Sequence, residues 1–463
     1  MALLFEYGKW VSIKNKDALK LMLKDIWNKR IYNENEADRE EQFDNRYQPF
    51  VQFDNEQIRA NNYIGFIQNG NELIEIYPKV FRQHFSSPNE DEKLLMLRHI
   101  FYWFSYCRKW NFPFNQASLD KIDIESFPEL IINLIASQFL DAVSTQPLTM
   151  YQAVEESLIT PRGSINFNRY INNSLSHGNF HKIECDYEPF LFDNKVNRVI
   201  KYCSRLLLNQ TKFSENLRLL QEVVFILDDV EDVPCYDYEI ENIPLNPFFE
   251  NYKQIIDSCK LILNQQLYSS NVYDLSQWCL LFPMEYIFED FLAGFIEHNF
   301  SKEWKVEYQK SNEYLSNNPR VFNMQHDIFL TNRLDKSLKI IIDTKYKIRP
   351  NNFKSDMKKG IAQSDLYQMV SYGFKRGCSD IILVYPNIAD SLNSPDNFEI
   401  ISGFEGHDKI NISAIEIPFW SISDLSSIES RLFSTIDNLL KSKSTLFAST
   451  LPKPHEQTLQ PKL

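Results

Sequence analysis

The sequence predicts an α+β multidomain protein: a β-rich N-terminal domain, a helical middle region and a C-terminal α/β core. Three observations predict it. The 463 residues exceed what one ordinary core accommodates. Apolar residues run in short strand-like stretches near the start, at three- and four-residue spacing from about 90 to 265, and in β-branched runs between helices thereafter. Finally, the Pro-rich interval Val233–Pro247 breaks the helical pattern before one more helix and the last third.

Residues 1–85 are expected to form the β-rich domain, in which Tyr63–Gln68 and Glu72–Ile76 flank Asn69-Gly70-Asn71, a hairpin signal, and Pro78 stops the second strand. The polar run Asn33–Arg46 is an exposed excursion, and Ser86–Lys93 a linker. Residues 86–268 form the helical middle domain, with helices over Leu94–Tyr106, Leu130–Val143, Asp193–Leu208, Asn216–Leu227 and Phe248–Gln266. Within it, Gly163 suits a positive φ, Arg162 a carbonyl or carboxylate contact, and Asp193 an N-cap. Residues 269–435 form the C-terminal core. Residues 436–463 are expected to be a flexible tail, because periodicity is lost from Ser442 onward.

Composition narrows the function classes. With 35 Phe and 23 Tyr against 11 Gly, large side chains fill packed cores. The seven cysteines are scattered singly without a C-x-x-C, which argues against a disulfide framework or zinc ribbon and fits a reducing cytoplasm. No window of about eighteen apolar residues occurs, so no membrane span is expected. Neither a phosphate loop nor a dinucleotide glycine pattern is present, so nucleotide binding by this chain is not expected. A net charge of −13 is unlike that of a free-standing DNA reader, because duplex binding depends on neutralising phosphates. A chain of this charge that acted on DNA would leave most of the DNA holding to a partner. Lys345, Lys347, Arg349, Lys354, Lys358 and Lys359 nevertheless cluster, as a local phosphate track would.

The chemistry is concentrated between Phe322 and Tyr346. Asp327 precedes Asp343 by sixteen residues, and Lys345 follows two later. In the run Leu338–Tyr346, period-2 geometry puts Ile341, Asp343 and Lys345 on one strand face, which Asp327 reaches across a hairpin. Hydrolysing a phosphodiester calls for a hard cation held by carboxylates and an ammonium that orients water or offsets developing charge. Two acids and a lysine meet both needs. Upstream, the amphipathic helix Leu281–Phe300 carries Glu289 among phenylalanines, where a carboxylate is costly unless paired or ligating. Downstream, the helix Ile361–Phe374 places Gln368 and Tyr372 on one face with Asp365 a turn earlier, and the strand Ser379–Pro386 follows.

This order of helix, strand, strand with Asp-x-Lys, helix and strand resembles the PD-(D/E)xK nuclease core, and more narrowly the McrC family, the nuclease subunits of McrBC-type restriction systems. Leu73–Lys79 (LIEIYPK), Pro161–Ile165 (PRGSI) and Tyr187–Arg198 (YEPFLFDNKVNR) are similar to that family's upstream motifs. The chain departs in having His326 where the superfamily has Pro, and Asp343 where Glu is usual. A carboxylate remains at each metal position.

The resemblance implies a Mg2+-dependent DNA endonuclease, with Mn2+ as an alternative cation, acting on double-stranded DNA. Asp327, Asp343, the Thr344 carbonyl and Glu289 would hold metal. Lys345 would position water, and Gln368 and Tyr372 would orient the lysine or the scissile strand. It further implies docking on, and stimulation of, a McrB-like GTP-hydrolysing AAA+ hexamer, with two complexes dimerising for double-strand cleavage. Two other functions compete: a non-catalytic adaptor that activates the motor, and a self-sufficient RecB-like nuclease. The first leaves the intact acid-lysine set without a role, the second the long N-terminal half.

Overall fold

The computed structural model describes residues 2–33, 48–70, 72–108, 126–151, 153–240, 243, 245–266, 277–308, 313–324, 326–349, 355–387, 389, 392–401, 409–422 and 425–450. Most of the expected excursion Asn33–Arg46, Asn71, Lys354, the 268/269 boundary and the end of the expected tail lie outside them. The chain divides into two compact units, each built from separated stretches. Among the described residues no helix is long and apolar enough to cross a membrane.

The first unit comprises Met1–Tyr77, Asn89–Leu94 and Asn111–Phe282. Strand β1 (Ala2–Phe5) and helix α1 (Lys16–Asn33) precede the hairpin β2 (Tyr63–Asn69) and β3 (Glu72–Tyr77). Helices α2 (Glu90–Tyr106), α3 (Phe127–Thr145), α4 (Lys195–Leu208), α5 (Ser214–Ile226) and α6 (Tyr252–Gln266) follow, then strand β4 (Gln277–Pro283). The sheet order is β1-β3-β2-β4, with β1 parallel to β3 and β2 antiparallel to it. Leu19, Leu23 and Ile26 of α1 pack against Leu4, Ile67, Ile76 and Leu281 of this sheet. Gly65 has φ +130°, and a Cβ there would stand 1.9 Å from the Leu280 carbonyl, so only glycine admits β4 so close.

Several expectations change here. Strand β4 lies beyond residue 268 yet completes the N-terminal sheet, so the division at 268/269 does not follow the packing. Helix α4 is capped by Asn194, whose side chain accepts from the Asn197 amide; Asp193 instead pairs with Arg198 at 2.7 Å. Asn197 donates to the Leu148 and Phe192 carbonyls. The D-x-x-x-N-R run is thus a folding device that ties a helix start to neighbouring loops. Gly163 does take a positive φ, +69°, and a Cβ there would meet the Asp186 carbonyl at 2.5 Å. Arg162 lies over the Tyr187 ring.

The second unit comprises Pro78–Pro88, Leu95–Trp110 and Pro283–Leu463, so α2 contributes to both units. Helix α7 (Met284–Phe300) starts three residues later than expected, because Leu281–Pro283 belong to β4. Strands β5 (Trp304–Tyr308), β6 (Ile328–Asn332) and β7 (Lys339–Thr344), helix α8 (Gln363–Arg376), strands β8 (Asp380–Pro386), β9 (Asp396–Ile400) and β10 (Ile410–Ile417) and helix α9 (Ser426–Thr450) follow.

The six strands form one mixed sheet in the order β5-β6-β7-β8-β10-β9. β5, β6 and β7 are antiparallel neighbours, whereas β7, β8 and β10 run parallel. Ile341, Ile381, Leu383, Ile412 and Ala414 present one face to Met369 and Tyr372 of α8. Such a β-branched central strand, buried on both faces, is what a parallel sheet covered by helices requires. Helix α9 corrects the expected tail: it runs through residue 436, and Ile436, Leu440 and Lys443 are buried.

Candidate active site

The candidate acids come together because β6 and β7 are register neighbours. Ile328 faces Ile342, which brings Asp327, one residue before β6, beside Asp343 near the end of β7. One Asp327 oxygen, Oδ2, accepts from both the Thr344 amide at 2.7 Å and the Thr344 hydroxyl at 2.6 Å. Thr344 therefore orients one acid while its neighbour in sequence supplies the other.

Asp343 is buried, and its Oδ2 stands 2.6 Å from the Lys345 Nζ. Burial first, and then the Asp327 charge, push the Asp343 carboxyl up to about 7 against the pull of Lys345. Burial works against the Lys345 ammonium too, but Asp343, with Asp365 and Asp327 behind it, outweighs burial and holds that pKa above the usual lysine value. Two acids and an ammonium thus meet around a buried carboxyl at the carboxyl end of a central strand, where open α/β sheets place their ligand sites.

The other expected residues divide. Gln368 and Tyr372 share a face of α8, and the Gln368 amide donates to the Tyr372 hydroxyl at 2.9 Å, while the Tyr372 ring lies in the core against the sheet. The α8 side chain that acts on the acids is Asp365, one turn earlier; it raises both Asp343 and Lys345 and pairs with Lys347 at 2.9 Å. Its only sequence signal was its position three residues before Gln368 on the same helical face. Glu289 is half-buried on α7. Among the described residues no three of His, Cys, Asp and Glu form a metal-binding group, so Glu289 does not complete an acidic triad with Asp327 and Asp343.

Two neighbours acquire structural roles. His326 is a buried imidazole against Phe329, and burial, aided by Arg376, pushes its pKa down to about 4, which keeps it neutral. Arg349, expected in the phosphate track, is buried and pairs with Asp396 at 2.6 Å.

A family model, McrBC 5-methylcytosine restriction system component, matches residues 58–386. The chain belongs to this McrBC component family. A solved chain from a half-complex of the tetradecameric assembly of Thermococcus gammatolerans McrB AAA+ hexamers with bound McrC is similar in fold. Its TM-score is 0.67 at 16% identity, covering 94% of this chain and 99% of that one. A second chain, from the Thermococcus gammatolerans McrBC complex, has a TM-score of 0.48 at 18% identity, covering 64% and 87%. No curated protein matches. The McrBC family match spans both β2–β3 and the β6–β8 site strands, so it covers the acids and Lys345 together.

Proposed function

We propose that the chain is the nuclease subunit of a McrBC-like restriction complex, a Mg2+-dependent DNA endonuclease that docks on and stimulates a GTP-hydrolysing AAA+ partner. The observation that carries this reading is the convergence of the half-buried Asp327 and Lys345 on the buried Asp343, whose carboxyl is pushed up to about 7. A catalytic acid-lysine set is where such perturbation is expected.

The donor set fits a hard divalent cation. Mg2+ is held by one or two carboxylates together with water and substrate phosphate oxygens, and a cation would relieve the Asp327–Asp343 repulsion that raises the Asp343 carboxyl. Asp327 and Asp343 would hold it, with the Thr344 carbonyl as a further oxygen ligand. When bound, it supplies a Lewis acid for the scissile phosphate. Lys345, held at Asp343, orients the attacking water and offsets charge as it develops on the phosphate oxygens. Thr344 fixes the Asp327 carboxylate through its amide and its hydroxyl. Gln368 and Tyr372 support the α8 face from which Asp365 balances the lysine.

The acidity of the chain, −13 overall, fits a subunit that relies on a partner to hold DNA. The relative of similar fold comes from an assembly with McrB AAA+ hexamers, which favours the same kind of partner here. An adaptor without catalysis has no use for a desolvated acid-lysine set.

The test is cleavage of duplex DNA by the chain with its AAA+ partner, nucleotide and Mg2+. Asp343→Ala and Lys345→Ala should abolish cleavage while partner stimulation persists. Cleavage at wild-type rates by either variant refutes the site.

A further inference from the structure

We propose that Lys79 is a positioning residue for Lys345, clamping the backbone one residue beyond it; the inference rests on the nuclease reading of that lysine. The Lys79 Nζ donates to the Tyr346 carbonyl at 2.8 Å and stands 4.1 Å from the centroid of the Tyr346 ring. One ammonium thus grips both the main chain and the side chain of the residue after Lys345. Nothing in the spacing of the C-terminal motif points to a residue 267 positions upstream.

The local sequence explains how the ammonium is delivered. Pro78, at φ −58°, follows the end of β3 and caps the 3-10 turn Lys79–Phe81, whose Val80 and Phe81 are buried. Phe81 stacks against Trp103 and meets Trp420 edge-on, which anchors the turn. Lys79 belongs to the compact unit that holds the acids, although the sequence predicts residues 1–85 to form a separate β-rich domain.

The grip completes a run of fixed backbone groups. The Lys345 amide donates to the Val384 carbonyl at 2.8 Å, and the Lys347 amide donates to the Lys345 carbonyl at 2.7 Å. The Tyr346 ring is confined by Phe288 and Phe419. With Lys79 on the intervening carbonyl, the Lys345 Cα has little room to drift, so its ammonium reaches the acids from a set origin. Charge-assisted hydrogen bonds and cation–π contacts are among the stronger polar interactions available for this.

The experiment compares wild type, Lys79→Met and Lys79→Arg in the full chain. It measures steady-state DNA cleavage with the AAA+ partner, amide hydrogen exchange of residues 339–349, and the thermal unfolding midpoint. Lys79→Met should lower kcat about ten- to a hundredfold with KM for DNA unchanged, since small misplacements of reacting groups cost that much. Exchange at Lys345 and Lys347 should speed up in the same variant. Arginine, which donates and stacks equally well, should restore most of the activity and protection. Unchanged exchange in Lys79→Met, an effect on KM alone, or a matching loss in both variants with a lowered unfolding midpoint would each overturn the proposal. If wild type fails to cut but exchange responds as stated, the nuclease reading falls and the clamp stands.

Discussion

The Trp103 indole lies flat on the Phe419 ring, with 3.9 Å between centroids and 7° between planes, and its Nε1–H donates to the Phe419 carbonyl at 2.9 Å. These residues are 316 positions apart. Beside them, the Ser421 amide donates to His99 Nε2 at 3.1 Å, and Phe81 meets Trp420. The unit that carries the acids is therefore held together by an early helix as much as by its own sheet. Phe419 also touches Tyr346 and Phe288, so this aromatic cluster reaches the residue beyond Lys345.

Trp103→Ala should destabilise the chain by about 3–5 kcal/mol, the usual cost of removing a buried aromatic side chain. A fragment of residues 270–430 lacks Phe81, His99 and Trp103 altogether and should fail to fold. Urea denaturation followed by tryptophan fluorescence and circular dichroism checks both. A cooperative transition in the fragment at the midpoint of the full chain would refute the role given to α2.

Arg349 offers a second case in which position in sequence and position in space diverge. Its guanidinium is buried, pairs with Asp396 and donates to the Lys359 carbonyl at 2.6 Å. Removing one member of a buried pair leaves the other charge desolvated, so Arg349→Ala should lose about 3–5 kcal/mol. Arg349→Lys should rescue little, because one ammonium cannot replace a fork that reaches both acceptors. Equal stability of the alanine variant and wild type in guanidinium titration would return Arg349 to the expected phosphate track.

The legible parts of the fold share a physical reason. Strand β7 was readable because its isoleucine run is buried on both faces, and the acids were readable because a hairpin fixes their relation over a separation of sixteen residues. Helices α3 to α5 declared themselves through local periodicity. Lys79, Trp103 and Asp365 did not, because each acts through contacts set only by tertiary packing. The capping of α4 was misplaced by one residue because Asp193 and Asn194 are both good caps, and only Arg198 decides between them. Likewise β4 followed a break in the helical pattern, yet it pairs with β2, more than 200 residues earlier.

Glu75 is a buried carboxyl on β3. Its Oε1 accepts from the Phe127 amide at 2.7 Å and its Oε2 from the Tyr77 hydroxyl at 3.2 Å. Burial raises its pKa despite these hydrogen bonds and the more distant Lys93 charge. A carboxyl that binds its proton more tightly when folded gains stability as pH falls through its raised folded pKa, and the gain is complete below its unfolded value. Above the folded pKa, the ionised side chain carries the full cost of burial. Glu75→Gln keeps an oxygen for the Phe127 amide and an amide for the Tyr77 hydroxyl while removing the charge. The variant should therefore gain on wild type at pH 8 and lose that advantage by pH 4, measured as the difference in urea midpoints across the range. A difference that stays flat, or that grows toward acid pH, would show that the folded protein holds Glu75 as readily charged as neutral.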